Sequence, residues 1–374
     1  MKTYSVGIVG FGMIGKVHAF GYATLPYNID PKINANFRIT HVATAHQETA
    51  EKAKTVCGAD VATTDFRDIT ENPNIDIVHI CSPNEQHVEQ LISAIRHGKH
   101  IYCDKPLCCT LEEAEFIRSE MERCNYSATN QMTFHLRFFP AVMRMKQLID
   151  EGRLGRILQF RAAFLHSSSV DPNAPFKWKY AKGGGVILDL GSHVLDIVDH
   201  LIGSIDSLVA QTQLAHPQRP VSAPSEANPN PPLCDVVVED AVSMLVKMES
   251  GAHGVIEASK LSTGTTDDFR IEIHGEKGAV RFRLLDPQTV EFFDATVRDK
   301  PLGGTSGWLS IGCHNKYDPP HADFPNSKAI IGWTRAHAAC LVNFLSAVAT
   351  GKQTTPDLMQ GFKIQRYMTK LVDR

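Results

Sequence analysis

Three groups of residues in this 374-residue chain have the types and spacing needed for chemistry. The first is Gly10-Phe11-Gly12-Met13-Ile14-Gly15, which follows the apolar run Tyr4–Val9 and opens a helical stretch. In that context the first glycine permits a tight turn and the second lets backbone approach a pyrophosphate. The third lets the helix pack on its strand, and the helix N-terminus attracts phosphate charge. The second group is Asp104-Lys105-Pro106, at the end of the run His100–Cys103. A lysine at the carboxyl end of a parallel strand lies on the ligand-binding edge, where it can hold a substrate hydroxyl and favour the neutral form of a nearby base. The third is Asp189 and His193, four residues apart and so on one face of a helix predicted over Val186–Ile202. Histidine near its natural pKa can take a hydroxyl proton at neutral pH.

We read Lys105, Asp189 and His193 as one catalytic cluster, although 84 positions separate the first two. The glycines at 183–185 would let the chain approach the cofactor crevice. Each group also has a plain structural reading: a strand–helix turn, a lysine capping a loop, a polar helix face. Asp196, Asp199 and His200 on the same helix read as a solvated face. Aspartate and histidine at this spacing can ligate zinc, but no third ligand is implied nearby, so no metal is expected.

Positioning these groups requires a regular scaffold. Strand-like runs at Phe37–Ala43, Ile75–Cys81, His100–Cys103 and Ser127–Thr133 alternate with helical stretches at Lys16–Leu25, Glu48–Cys57, Glu85–His97 and Leu111–Arg123. That alternation predicts βαβ units and a parallel sheet. Further on come a helix at Phe139–Glu151 and a strand at Ile157–Leu165. Strands then follow one another at Ile205–Thr212, Val236–Met248, Ala252–Ser259, Phe269–Gly275, Gly278–Leu284 and Thr289–Phe293, before a helix at Trp333–Thr350. His216–Pro232, rich in Pro, Ser and Asn, reads as a surface loop. The expected fold is α/β: an N-terminal Rossmann dinucleotide-binding domain over 1–128 and a C-terminal α+β domain over 129–374 with an open, mostly antiparallel sheet.

Composition narrows the function. Lys plus Arg is 38 and Asp plus Glu is 41, a formal net charge of -3, which argues against a nucleic-acid binder or a polybasic membrane partner. No run of about 18 apolar residues occurs, and the N-terminus enters a strand at once, so neither a membrane span nor a signal peptide is expected. Nine cysteines are scattered, with Cys108–Cys109 vicinal and no Cys-x-x-Cys. They read as reduced thiols, and the expected compartment is the cytoplasm.

The cofactor choice stays open at this level. The second strand ends Val42-Ala43-Thr44-Ala45-His46, without the acid that would bind the ribose diol of NAD and without an Arg or Lys for the 2′-phosphate of NADP. Thr44 and His46 could bond to either, and His46 is equally a solvated loop residue.

Taken together, GIVGFGMIGKVHA at 7–19, ICSPNEQHVEQLISAIRHGKHIYCDKPL at 80–107 and KWKYAKGGGVILDLGSHVLDIV at 177–198 resemble the glucose–fructose oxidoreductase / inositol dehydrogenase (Gfo/Idh/MocA) family. The resemblance runs over essentially the whole chain. It implies a two-domain NAD(P)-dependent dehydrogenase acting on a secondary hydroxyl of a sugar, inositol or glycoside. It also implies that Lys105, Asp189 and His193 form the catalytic set, with Asp189 orienting His193 or holding an adjacent substrate hydroxyl. Ser82-Pro83-Asn84, followed by His87, matches a family segment near the nicotinamide, and Asp104 stands where the family has Glu. Arg137, His166 and Trp178 are candidates for substrate selection, each equally open to a core or surface role. Family sheets of this kind pair face to face, implying a homodimer or homotetramer. Two other readings compete: a glycoside-cleaving enzyme that oxidises the sugar transiently, and a non-catalytic regulator that senses NAD(P) or sugar. Tyr22–Asn36 is longer than the family's usual connection and reads as a subunit contact or a cover over the adenine end.

Overall fold

Strands and helices alternate from the first residues of the structure, a computed structural model that describes residues 1–297, 304–322 and 324–372. In order these are β1 (Lys2–Val9), α1 (Met13–Ala23), α2 (Leu25–Asn28), β2 (Ala35–Ala43), α3 (Gln47–Cys57), β3 (Val61–Thr63), α4 (Arg67–Thr70), β4 (Ile77–Ile80), α5 (His87–Arg96), β5 (His100–Cys103), α6 (Leu111–Arg123) and β6 (Asn130–Met132). The six strands form one parallel sheet in the order β3-β2-β1-β4-β5-β6. Connections reverse direction between β1 and β4, and a ligand crevice opens outside the carboxyl ends of the strands at such a point. Tyr4, Val6 and Ile8 on β1 and Ile77 on β4 are buried in the sheet's core, as expected for strands covered on both faces. Helix α6 starts on a capping box in which the Thr110 hydroxyl accepts from the Glu113 N–H and the Glu113 carboxylate accepts from the Thr110 N–H.

The second unit begins with α7 (Pro140–Asp150) and β7 (Ile157–Leu165). A wide π turn at Ile187–Gly191 then leads into α8 (Ser192–Ile202). After it come β8 (Ile205–Gln213), β9 (Gln218–Pro220), β10 (Leu233–Asp235), β11 (Ala241–Met248), β12 (His253–Ser259), β13 (Asp268–Gly275), β14 (Gly278–Arg283), β15 (Thr289–Asp294) and β16 (Trp308–Gly312). Eight of these strands make one sheet, β16-β15-β14-β13-β7-β12-β11-β8, antiparallel except for the β7–β12 pair. Its inner face buries Phe160, Phe164, Val242, Met244, Ile256, Ile271 and Phe282.

The chain then returns. Helix α9 (Trp333–Thr350) and the start of α10 (Leu358–Val372) belong with the Rossmann sheet, so the first unit is 1–138 plus 315–366, and the second is 139–314 with the last residues of the chain. Cys340, Leu341, Phe344, Leu345 and Val348 of α9 join the core of β1 and β2. A Cβ on Gly21 of α1 would lie 2.8 Å from Leu341 Cδ2, so a side chain there would push the Leu341 methyl aside. A single cut at 128 therefore misses the return of 315–366.

Other local expectations need correction. Asp196 and Asp199 are buried, not solvated, at 1% and 8% exposure. Asp199 accepts a hydrogen bond from the Tyr367 hydroxyl at 3.0 Å. The segment His216–Pro232 is not wholly a surface loop. It contains β9, which pairs with β10, and Arg219, fully buried on the carbonyls of Ser169 and Asp171 at 2.7 Å each. The Tyr22–Asn36 connection contains α2, bridges Ile29 to His321, and donates from Asp30 N–H to the Pro320 carbonyl at 2.7 Å, contacts within its own unit that contradict neither role expected of it. β3, α4, β16 and α10 were not anticipated. β3 has three residues, too short for a periodic pattern.

Candidate active site

The first unit builds the cofactor cradle from α1 and two strand ends. Gly10 has φ +88°, and a Cβ there would strike the Cys81 carbonyl and the Ser82 nitrogen at 2.7 Å. A Cβ on Gly15 would lie 2.3 Å from the Gly10 carbonyl oxygen. Gly12, at the N-cap of α1, has open space around its Cβ position. Two glycines therefore serve packing, and the third keeps clear the space a pyrophosphate needs at a helix N-terminus. The residues present fit a dinucleotide. Phe11 is partly buried against the core, and Met13, at 67% exposure, and Ile14 begin the helix.

Ser82-Pro83-Asn84 follows β4, and Asp104-Lys105-Pro106 follows β5, on the same carboxyl edge. His87 ties these two loops together. It is fully buried, with one ring nitrogen 3.0 Å from the Pro106 carbonyl and the other 3.0 Å from the Ser82 carbonyl. Buried on both carbonyls, it fixes the two loops to each other. The Ser82 hydroxyl donates to Gln90 at 2.7 Å, and the Asp104 carboxylate accepts from the Thr133 hydroxyl. At the other end of the edge, the Thr44 hydroxyl donates to the His46 carbonyl at 3.0 Å and pairs with Thr49 at 2.6 Å. His46 is exposed and caps α3.

A buried polar chain lies beneath the glycine loop. The Tyr22 hydroxyl is 2.8 Å from His79 Nε2, His79 Nδ1 is 3.0 Å from His18 Nδ1, and His18 Nδ1 is 3.1 Å from the Cys81 thiol. Burial lowers the His18 pKa to about 4, against a smaller upward pull from Asp104, and burial together with His18 pushes His79 well down. Because the folded value for His18 lies below the unfolded 6.5, the unfolded chain takes up the proton first. Stability should therefore fall as pH drops from about 6.5 through about 4, with roughly 3 kcal/mol attributable to His18. Urea unfolding of His18→Gln should show a flatter stability profile over that window than the parent.

The second unit carries Asp189 in the π turn and His193 in the first turn of α8. π segments recur at functional sites. His193 is 6% exposed, and its ring centre lies 5.8 Å from that of Phe164. The Asp189 carboxylate meets two ammonium groups, Lys179 Nζ at 2.9 Å and Lys260 Nζ at 3.1 Å. Glu239 accepts the Ile187 N–H at 2.9 Å, and its pKa is raised by burial against the pull of that hydrogen bond and of Lys260. Lys179, Glu239 and Lys260 were absent from the sequence reading. Lys179 stood beside the glycines at 183–185 and could have been flagged, whereas a lone lysine or glutamate beside a strand carries no spacing signal.

The remaining candidates are spread over both units. Arg137 lies in a 3-10 turn, His135–Phe138, of the first unit. In the second unit Trp178 is 43% exposed at the start of a short turn, and His166 follows β7 with its Nδ1 accepting from Ser168 N–H at 3.2 Å.

A parallel sheet with this strand order and a glycine loop at its switch point defines a dinucleotide-binding domain of Rossmann type. Comparison with known proteins agrees. Residues 4–125 match the family described as oxidoreductase family, NAD-binding Rossmann fold, and residues 142–281 match the GFO/IDH/MocA C-terminal domain. The chain is 30% identical to a levoglucosan dehydrogenase of Pseudarthrobacter phenanthrenivorans, covering 97% of this chain and 94% of that one. It is 28% identical to an inositol 2-dehydrogenase of Rhizobium meliloti, covering 95% and 91%. Levoglucosan dehydrogenase solved with NADH and levoglucosan superposes with a TM-score of 0.90 at 28% identity, over 99% of this chain and 96% of that one. The protein belongs to the Gfo/Idh/MocA family of NAD-binding oxidoreductases. No helix among the described residues is long and apolar enough to cross a membrane.

Proposed function

We propose that this protein oxidises a secondary hydroxyl of a sugar, anhydrosugar or inositol, with NAD as the acceptor, and runs the reverse reaction with NADH. The observation that carries the reading is the glycine cradle, with its clear space at Gly12, in a chain that also holds Lys105 at a strand end and the Asp189–His193 pair. The near full-length likeness to a levoglucosan dehydrogenase and an inositol dehydrogenase supports the substrate class. Bound nicotinamide supplies the hydride acceptor. Within the chain, His193 takes the hydroxyl proton, Lys105 holds the same oxygen, and Asp189 holds an adjacent hydroxyl or orients His193. A carboxylate beside two ammonium groups is a poor proton acceptor, which supports Asp189 as a holding group and His193 as the base.

Glu48, in the first turn of α3, and the lack of an Arg or Lys over 44–49 support NAD over NADP. A panel of levoglucosan, free hexoses, glycosides and inositols should give net NADH, with kcat/KM for NAD at least about tenfold above NADP, about 1.4 kcal/mol. Sugar cleavage without net NADH would instead indicate redox-assisted hydrolysis. Retention of Lys105, Asp189 and His193 argues against a non-catalytic sensor.

We also infer a homo-oligomer formed through the outer face of the eight-stranded sheet. Val209, Leu245 and Val255 are adjacent across β8, β11 and β12 and are 53%, 66% and 43% exposed. An apolar row of this kind favours coverage by another surface. Sedimentation at micromolar concentration should give a dimer or tetramer, and Leu245→Lys should shift it towards monomer. All nine cysteines are free thiols, which supports a reducing, cytoplasmic setting.

A further inference from the structure

The two cations on Asp189 are not equivalent. Lys179 Nζ lies 3.0 Å from Oδ1 and 2.9 Å from Oδ2, and its side chain is 41% exposed. Lys260 Nζ lies 3.1 Å from Oδ2, and its side chain is 4% exposed. Lys260 also attracts the Glu239 carboxylate. A buried ammonium is costly to dehydrate and gives no stability by default, so its placement between these groups calls for a role beyond charge balance.

Lys260 is also delivered from an anchored backbone, next to the end of β12. Its N–H donates to the Asp240 carbonyl at 2.9 Å, and its carbonyl accepts from Ser169 N–H at 2.9 Å. The ammonium reaches the Gly185 carbonyl at 3.4 Å. Gly185 has φ +90°, and a Cβ there would strike Glu239 Oε1 at 2.5 Å, so this residue must be glycine. The Glu239 backbone carbonyl accepts from Val186 N–H at 3.0 Å, and its carboxylate accepts from Ile187 N–H at 2.9 Å. Lys260 and Glu239 thus grip the start of the π turn from one side, and Lys260 grips the carboxylate that the turn presents. Lys179 comes from a short turn with much of its side chain in solvent.

We propose that Lys260 is the positioning residue of the Asp189 carboxylate, holding Oδ2 and the π turn in one orientation, while Lys179 is the cation that a substrate hydroxyl replaces. The proposal rests on the reading of Asp189 as a substrate-contacting group. Lysine at 260 supplies both a fixed charge and a donor to backbone, and an uncharged side chain of the same length supplies neither.

Lys260→Met, checked for folding by thermal unfolding, should lower kcat roughly 10–100-fold, the cost of a misplaced reacting group. NAD affinity, measured by titration, should stay unchanged. Lys260→Ala provides a second variant with room for a small molecule, and propylammonium should restore part of its turnover where propanol does not. In an Asp189→Asn background, Lys260→Met should cost less than about twofold more, because coupled residues are non-additive. Equal rescue by propanol would reduce Lys260 to packing, and a full further loss in the Asp189→Asn background would mean that it does not act through Asp189. Either result overturns the proposal. Near wild-type turnover in Lys260→Met, with Asp189→Asn inactive, overturns it alone. Undiminished turnover in Asp189→Asn removes the reading of the site as well.

Discussion

His193→Ala is expected to lower turnover roughly 10²–10⁴-fold, the usual weight of a positioned acid/base group. The histidine sits in the first turn of α8, 6% exposed, against the Phe164 ring. Replacing it by alanine removes the imidazole, the proposed proton acceptor, from a buried position that a solvent molecule would not fill in the same geometry. NAD affinity should change by less than about twofold, because the dinucleotide cradle lies in the other unit. The loss should appear in kcat and kcat/KM alike, the sign of an interaction made in the transition state. A substrate deuterated at the carbinol carbon should slow the variant, showing that chemistry limits its rate. Near wild-type turnover with that isotope effect present would exclude His193 as the base.

The second large effect separates two glycines three residues apart. Gly12→Val should leave the fold intact, since Gly12 has φ −72° and open space at its Cβ. It should weaken NAD binding roughly 30-fold, about 2 kcal/mol, by filling the space before the α1 N-terminus. Gly15→Val should lose stability too, roughly 1–3 kcal/mol or more, because its Cβ would lie 2.3 Å from the Gly10 carbonyl oxygen. Thermal unfolding and NAD titration on both variants check the contrast. A Gly12→Val protein that binds NAD as tightly as the parent would mean that the loop does not face the pyrophosphate.

These two glycines also show how far sequence reading reaches. Their pattern was legible because its chemistry is local: a turn, a helix start and a phosphate approach fall within six consecutive residues. The role of each was legible too, but the close approach of Gly10 to Cys81 and Ser82 was not, since those two residues arrive from β4.

Local pattern determined the alternation of strands and helices in the first unit, the bounds of β5, α6, β7 and α9, and the residues Lys105, Asp189 and His193 as candidates. These follow from periodicity and from motifs read along the chain. Tertiary structure alone decided what surrounds them. Asp196 and Asp199 read as polar helix surface, yet they are buried, and Asp199 is met by Tyr367, 168 residues away. Lys260 carries no motif or spacing signal, yet it is a buried partner of Asp189. Helix α9 was legible as a helix, but its membership of the Rossmann unit was not. The reason is the same in each case. Burial of a charge, and the partner that makes it tolerable, are set by contacts between residues far apart in sequence, and no spacing rule along one chain records them.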